Sequence, residues 1–106
     1  MFTLNNSRRL KLHKLLCGIL GSNHVYFQPP STVRMVYPAI VYGVENIDNA
    51  YANNGVYLSK KSYSITLINK DPDSELIDKI NNLPTARYST QFVKDNLYHT
   101  IFSLSY

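Results

Sequence analysis

The clearest pattern of apolar and polar positions lies in the middle of the chain, on either side of Asn54-Gly55. An Asn-Gly pair favours a two-residue β-hairpin loop, because both central residues of a type I′ turn need positive φ angles. A turn at this pair sets Tyr42 opposite Leu67, and side chains alternate between the two faces of each strand. The pattern therefore predicts a long hairpin with one apolar face, made of Ile40, Tyr42, Val44, Tyr63, Ile65 and Leu67.

Two helices are predicted outside this hairpin. Apolar spacing indicates a first helix over residues 8–20 that ends at Gly21 in a left-handed cap, and residues 1–7 are expected to be a flexible tail. Asp71 as N-cap and Pro72 at the first helical position indicate a second helix. The apolar stripes of the two helices are Leu12, Leu15, Leu16, Ile19 and Leu20 in the first, and Leu76, Ile77, Ile80 and Leu83 in the second.

Three further strands complete the predicted fold. Residues 25–28 form a short strand stopped by Pro29-Pro30, and residues 87–94 and 97–106 form a closing hairpin. The chain is thus expected to be a single α+β domain over residues 1–106, with element order α-β-β-β-α-β-β. Two helices would pack on one face of an antiparallel sheet of four or five strands that contains the long central hairpin.

The sequence also gives predictions for two details of strand pairing. Gly43 lies within a strand and suggests a bulge or bend there. The closing hairpin turns near Asp95-Asn96, where a two- or a three-residue loop is possible. The three-residue loop pairs Phe92 with Thr100, and we prefer it because it fits the apolar pattern better.

Composition narrows the class of protein. A chain of 106 residues with 44% hydrophobic content can bury one core. Charged residues make up 17% of it, less than the usual quarter, and Tyr occurs nine times, which suggests surface meant for a partner. The net charge of +4 does not by itself establish nucleic-acid binding.

The lone Cys17 excludes an internal disulfide. The apolar run at residues 15–20 is too short for a signal peptide or a membrane span. We therefore expect a soluble chain without a membrane partner.

Candidate chemistry is sparse. His13 and Cys17 are spaced i, i+4, but zinc sites use three or four ligands, so we expect no metal. The acids at 71, 73 and 75 suit a helix start better than catalysis. No glycine-rich phosphate loop and no hydrolase motif is present in the sequence. We therefore predict no catalytic residue and no cofactor, and a protein that is not an enzyme.

The outer end of the central hairpin is more apolar than a solvated loop needs to be. Tyr51, Tyr57 and Leu58 lie there, and aromatic residues are enriched in interface cores. The end is either a mobile loop or an arm that contacts another subunit.

Several stretches of the chain resemble small tail-completion proteins of long-tailed bacteriophages, the tail terminator and tail-to-head joining proteins. The resemblance covers residues 8–106 and concerns sequence habits rather than a catalytic signature. It lies in Val25-Tyr26-Phe27-Gln28-Pro29-Pro30, Met35-x-Tyr37-Pro38-Ala39-Ile40-Val41-Tyr42, Asn46-Ile47-Asp48-Asn49-x-Tyr51-Ala52, Lys70-Asp71-Pro72-Asp73-Ser74 and Lys94-Asp95-Asn96-Leu97-Tyr98-His99.

The resemblance implies a structural protein of the virion, assembled in the host cytoplasm. Such proteins form a homo-oligomeric ring, usually a hexamer, that caps the tail tube protein, stops its polymerisation and faces the neck or head-closure protein. DNA passes through the lumen without sequence-specific binding. On this basis we expect Tyr51, Tyr57 and Leu58 to contact a neighbouring subunit or the tube. Cations of the first helix, together with Arg34, Lys60 and Lys61, are expected to line the lumen.

Two alternatives remain open. A head-closure or connector protein of the neck would differ in partner rather than in chemistry. A small nucleic-acid-binding module is disfavoured by the modest net charge and by the lack of a base-stacking motif.

Overall fold

The computed structural model describes the backbone of residues 4–51 and 57–106, and the side chains of residues 8–46 and 61–106. Its five-stranded sheet has the strand order β1-β2-β3-β5-β4. The predicted α+β class and element order are confirmed, and the sheet is antiparallel except that β1 runs parallel to β2. The elements are α1 (Leu4–Leu20), β1 (Val25–Phe27), β2 (Ala39–Tyr51), β3 (Tyr57–Asn69), α2 (Glu75–Asn81), β4 (Arg87–Lys94) and β5 (Leu97–Ser105).

One face of the sheet carries the core. The predicted apolar face of the central hairpin is buried, with Val44 half-buried at its border. Helix α1 supplies Leu12 and Leu16, and α2 supplies Ile80, all fully buried. The helices cover this face with their apolar stripes, as expected for two packed layers, although Leu15 of the predicted first stripe is exposed. The buried core is completed from the strands by Val25, Ile40, Tyr42, Tyr63, Ile65, Leu67, Phe102 and Leu104.

Helix α1 begins at Leu4, four residues before the predicted start, so the backbone of residues 4–7 is helical rather than part of a tail. Its predicted end is confirmed. Gly21 has a φ of 79°, and its N–H donates to the Cys17 carbonyl at 2.9 Å. This is the left-handed cap that a residue without a Cβ adopts most readily.

The register of the central hairpin differs from the prediction by two residues, since Tyr42 lies opposite Ile65 rather than Leu67. A shift of two preserves the side-chain faces, which explains why the predicted apolar face is still buried. The bulge is at Glu45, between the pairs of Val44 and Asn46, and not at Gly43. Beyond it, Tyr51 lies opposite Tyr57, one residue away from the register that a turn at Asn54-Gly55 requires. That turn lies outside the described residues.

The N-cap of α2 was predicted wrongly. Ser74, not Asp71, precedes the helix with extended φ and ψ, and its hydroxyl accepts the Leu76 N–H at 3.1 Å. Asp71 Oδ1 instead accepts the Asp73 N–H at 2.9 Å, which makes a local Asx turn upstream. Asp and Ser are both good N-cap residues, so residue type alone does not distinguish them. The helix begins directly after Ser74, which makes Ser74 the cap.

The closing hairpin has a two-residue loop, contrary to our preference. Asp95 and Asn96 have φ angles of 55° and 63°, as a type I′ turn requires, and Phe92 lies opposite His99. A bulge between Tyr88 and Thr90 then shifts the register, so that Tyr88 meets Phe102. The bulge places Tyr88 on the apolar face, whereas Phe92 remains on the opposite face.

Candidate assembly surfaces

The central hairpin continues beyond the rest of the sheet. Strand β5 pairs with the β3 residues from Ser62 to Asn69, and one further hydrogen bond joins the Tyr106 N–H to the Lys61 carbonyl at 3.1 Å. Strand β1 pairs with the β2 residues from Ile40 to Tyr42. Strands β2 and β3 remain paired with each other out to Tyr51 and Tyr57. We call the outer stretch, residues 47–51 and 57–61, the arm. The protein measures 52 × 25 × 23 Å along its principal axes, so it is elongated for a chain of this length.

The three predicted interface residues lie together at the outer end of the arm. Tyr51 is the register partner of Tyr57, and Leu58 is the partner of Ala50. Their backbone positions are neighbours in a two-stranded ribbon, which is a common way to hold a contact surface away from a domain. Their side chains lie outside the described part of the chain.

Strand β4 forms one edge of the sheet and exposes apolar side chains on both of its faces. Tyr88 and Val93, on the helix-covered face, are 53% and 58% exposed, and Phe92, on the other face, is 43% exposed. Phe92 stacks on His99 with ring centroids 4.9 Å apart and an interplanar angle of 9°. An exposed, apolar edge strand is a template for pairing with another strand.

The closing turn determines which backbone groups of β4 point outward. In a two-residue hairpin the residues next to the turn, Lys94 and Leu97, bond to each other, and bonded and non-bonded pairs then alternate. Val93 and Gln91 therefore direct their N–H and C=O groups away from β5. The Gln91 amide also fixes the strand, because its Nε2 donates to Thr100 Oγ1 at 3.0 Å and to the Pro72 carbonyl at 3.2 Å.

The opposite edge of the sheet, strand β1, offers a shorter surface for pairing with another strand. Strand β1 has three residues, and Pro29-Pro30 follow shortly after it without backbone donors. Gln28 continues the contact with β2: its N–H donates to the Tyr42 carbonyl at 2.9 Å, and its Oε1 accepts the Val44 N–H at 3.0 Å. Gly43 makes this possible, because a Cβ there would lie 2.9 Å from Gln28 Cγ.

Two grooves lie beside this region, and neither forms a clear ligand site. One, of about 400 Å³, runs over the open sheet face between Pro29, Met35 and Thr66. The other, of about 300 Å³, is bordered by Tyr37, Leu76 and the buried Asn69. Among the described residues Asn69 Oδ1 has no hydrogen-bond partner, but this atom is enclosed, so a molecule in the groove would not reach it without a side-chain movement.

The predicted lumen residues lie on different elements and do not form a single cluster within the part of the chain that the structure describes. Arg34 is exposed in the loop before β2, whereas Lys61 is half-buried on β3, opposite Ile47. Lys60 lies opposite Asp48, and its side chain is outside the described residues. Among the helix cations, the Arg9 guanidinium is 4.4 Å from the centroid of the Phe27 ring, so this charge helps to hold α1 on the sheet.

A polar contact lies between α1 and the sheet. His13 Nδ1 is 2.8 Å from the Tyr42 hydroxyl. Burial lowers the pKa of His13, and the nearby Arg9 charge lowers it further. Burial raises the pKa of Tyr42, although the Arg9 guanidinium acts in the opposite direction, and burial also raises the pKa of Tyr63. The neutral forms of all three groups are therefore favoured where the helix meets β2 and β3.

Within the described ranges, no group of three His, Cys, Asp or Glu side chains could hold a metal ion. None of the helices in those ranges is long and apolar enough to cross a membrane. No protein-family model matches the chain, and no curated protein matches it either.

The exposed edge of β4 was missed by the sequence analysis. Its signal was present, because Tyr88, Phe92 and Val93 do not alternate regularly and so cannot all face one core. A strand with apolar residues on both faces is either central in a sheet or an edge strand that exposes some of them. The strand order shows that β4 is an edge strand.

Proposed function

We propose that the protein is a structural component of a phage virion that forms a ring at the head-proximal end of the tail tube. The ring, a hexamer by the sequence resemblance, ends tube polymerisation and joins the tail to the neck. DNA passes through its lumen. The protein acts by binding copies of itself, the tube protein and a neck protein, and no catalytic step is involved.

The observation that carries the proposal is the extension of the central hairpin beyond the rest of the sheet. A closed ring needs two different complementary surfaces on each subunit, because its contacts run head to tail. The arm is one such surface, and the apolar edge of β4 is a second surface of a different kind. A monomeric domain has no evident use for either feature.

The arm is tested by replacing Tyr51 and Tyr57 with Ser. We expect a folded protein that no longer assembles into rings, because the aromatic contact area at the end of the arm is lost. The matched control is Tyr37→Ser with Tyr106→Ser, two exposed tyrosines on other parts of the protein. Assembly of the arm variant at the wild-type concentration would contradict the role of these residues.

The predicted lumen is tested by charge reversal at Arg34, Lys60 and Lys61. Like charge on the wall of a DNA channel repels the phosphate backbone, so we expect a loss of infectivity with normal ring formation. Lys70→Glu, at an exposed site after β3, is the single-charge control. Unchanged infectivity of the triple variant would remove these residues from the lumen.

The proposal as a whole is tested by electron microscopy of phage particles that lack this protein. A terminator predicts tails longer than normal. Full heads that leak DNA, with tails of normal length, would instead indicate the head-closure alternative. Normal particles would contradict a role in ending or joining the tail, and salt-dependent duplex DNA binding by the isolated monomer would favour a nucleic-acid-binding module.

A further inference from the structure

We infer that the outer edge of β2 in the arm of one subunit adds as an extra strand to the β4 edge of the next copy. The inference rests on the proposed ring and names the surface that receives the arm. Backbone hydrogen bonds would hold the two strands together, as in other cases of strand addition. The contact is heterologous, so it can repeat around a ring.

Both strands present unused backbone edges in the described part of the sheet. On β4, the N–H and C=O groups of Val93 and Gln91 point away from β5. On β2, the pairing with β1 ends at Tyr42, and the strand continues to Tyr51. Strand β4 has eight residues, and the arm segment 47–51 has five, enough to pair with more than half of β4.

Charge selects β2 among the edges that the chain could offer. Strand β4 contains Arg87 and Lys94 and no acid, so pairing with β4 of another copy in antiparallel register would set Arg87 opposite Lys94. Like charges directly opposite each other are destabilising. The outer stretch of β3 has the same defect, since it contains Lys60 and Lys61. The arm segment of β2 contains one charge, Asp48, and it is negative.

The remaining edge of the sheet is a poor partner. Strand β1 spans Val25–Phe27, and the prolines that follow it cannot donate backbone hydrogen bonds. A three-residue strand would pair with less than half of β4. The β2 segment offers more residues, a complementary charge and no proline.

Single cysteines test the contact by mixing. In a Cys17→Ala background, one protein carries Ala50→Cys and the other carries Val93→Cys, and a short bis-maleimide links nearby thiols. Circular dichroism first confirms that both proteins fold. We expect linked dimers in the mixture and only monomers from either protein alone, because the arm of one copy meets β4 of another.

A second pair of variants tests the backbone hydrogen bond. Val93→Pro removes a donor that points outward, at an edge position where the ladder to β5 is not used, whereas Val93→Thr retains that donor. We expect Val93→Pro to raise the dissociation constant of the ring about tenfold and Val93→Thr to change it less than about twofold. Equal assembly of the two variants would contradict strand addition at β4.

The outcomes separate this inference from the proposed function. Wild-type rings without a linked product in the mixture, or with dimers from Val93→Cys alone, would overturn strand addition and leave the ring intact. A linked product from the mixture, together with normal tails in particles lacking the protein, would support strand addition and overturn the terminator role. A protein that stays monomeric with tube and neck components present would overturn both.

Discussion

Two phenylalanines on neighbouring strands differ sharply in environment. Phe102 on β5 is fully buried in the core, whereas Phe92 on β4 is 43% exposed and stacks on His99. The strands are paired with each other, so the difference does not come from distance to the sheet. It arises because the helices cover the face on which Phe102 lies, while Phe92 lies on the opposite face of an edge strand. In this protein, apolar residues thus serve two purposes, folding in the covered centre and, by our proposal, assembly at the margins.

The largest expected effect comes from truncating each phenylalanine to Ala. Phe102→Ala should lower the free energy of unfolding by about 3–5 kcal/mol, because it leaves a cavity in a closed core. Phe92→Ala should cost less than about 1 kcal/mol, since much of its ring is already in contact with solvent. Urea unfolding of both purified variants measures the two values. Equal losses would show that β4 belongs to the core and not to an exposed margin.

A smaller effect on the free energy of unfolding is expected at Gly43, next to the end of the pairing between β1 and β2. The Cβ of Gly43→Ala would lie 2.9 Å from Gln28 Cγ and displace a side chain that accepts the Val44 N–H. We expect a loss of about 1 kcal/mol in the free energy of unfolding, similar to one net hydrogen bond. Thermal or urea unfolding provides the value.

The control for this position is a double-mutant cycle. Gln28→Ala alone should cost a similar amount, and Gly43→Ala should add little in its presence, because the clash has been removed. Additive losses would mean that the Gln28 side chain does not limit the space at Gly43.

The smallest effect concerns pH. The folded protein has a His13 pKa below the ordinary value of 6.5, so the unfolded chain binds more protons as the pH falls through 6.5. Stability should therefore be complete above that pH and decrease below it, down to the lowered pKa. Thermal unfolding of wild type and His13→Gln between pH 8 and pH 5 measures the difference. A steeper acid loss in the variant than in wild type would contradict this assignment.

The covered centre was predicted from the sequence better than the margins were. The buried face of the central hairpin and the cap at Gly21 follow from alternation and from glycine geometry, which are local properties. The register was wrong by two residues: the bulge at Glu45, which has no sequence signal, accounts for one, and the pairing of Tyr51 with Tyr57 accounts for the other. The N-cap of α2 was also wrong, because Asp71 and Ser74 are both suitable caps and the sequence does not show at which residue the helix begins after β3.

The sequence shows that β4 has apolar residues on both faces, but it does not show that β4 is an edge strand, because that is a property of strand order. Periodicity identifies which residues share a face, but it does not say that β5 lies between β3 and β4. For the same reason the parallel pairing of β1 with β2 was missed. The roles of Tyr51, Tyr57 and Leu58, and of Arg34, Lys60 and Lys61, stay predictions.

The most direct test of the account is the mass of the purified protein in solution over a concentration series, with the tube protein present and absent. Sedimentation velocity of wild type should give one closed species with a single copy number that persists on dilution. A variant with Tyr88, Phe92 and Val93 changed to Thr should remain folded, with a modestly lower thermal stability because Tyr88 also contacts Phe102, and should have the mass of a monomer. A wild-type protein that remains a monomer in every mixture would contradict the claim that its apolar margins exist for assembly.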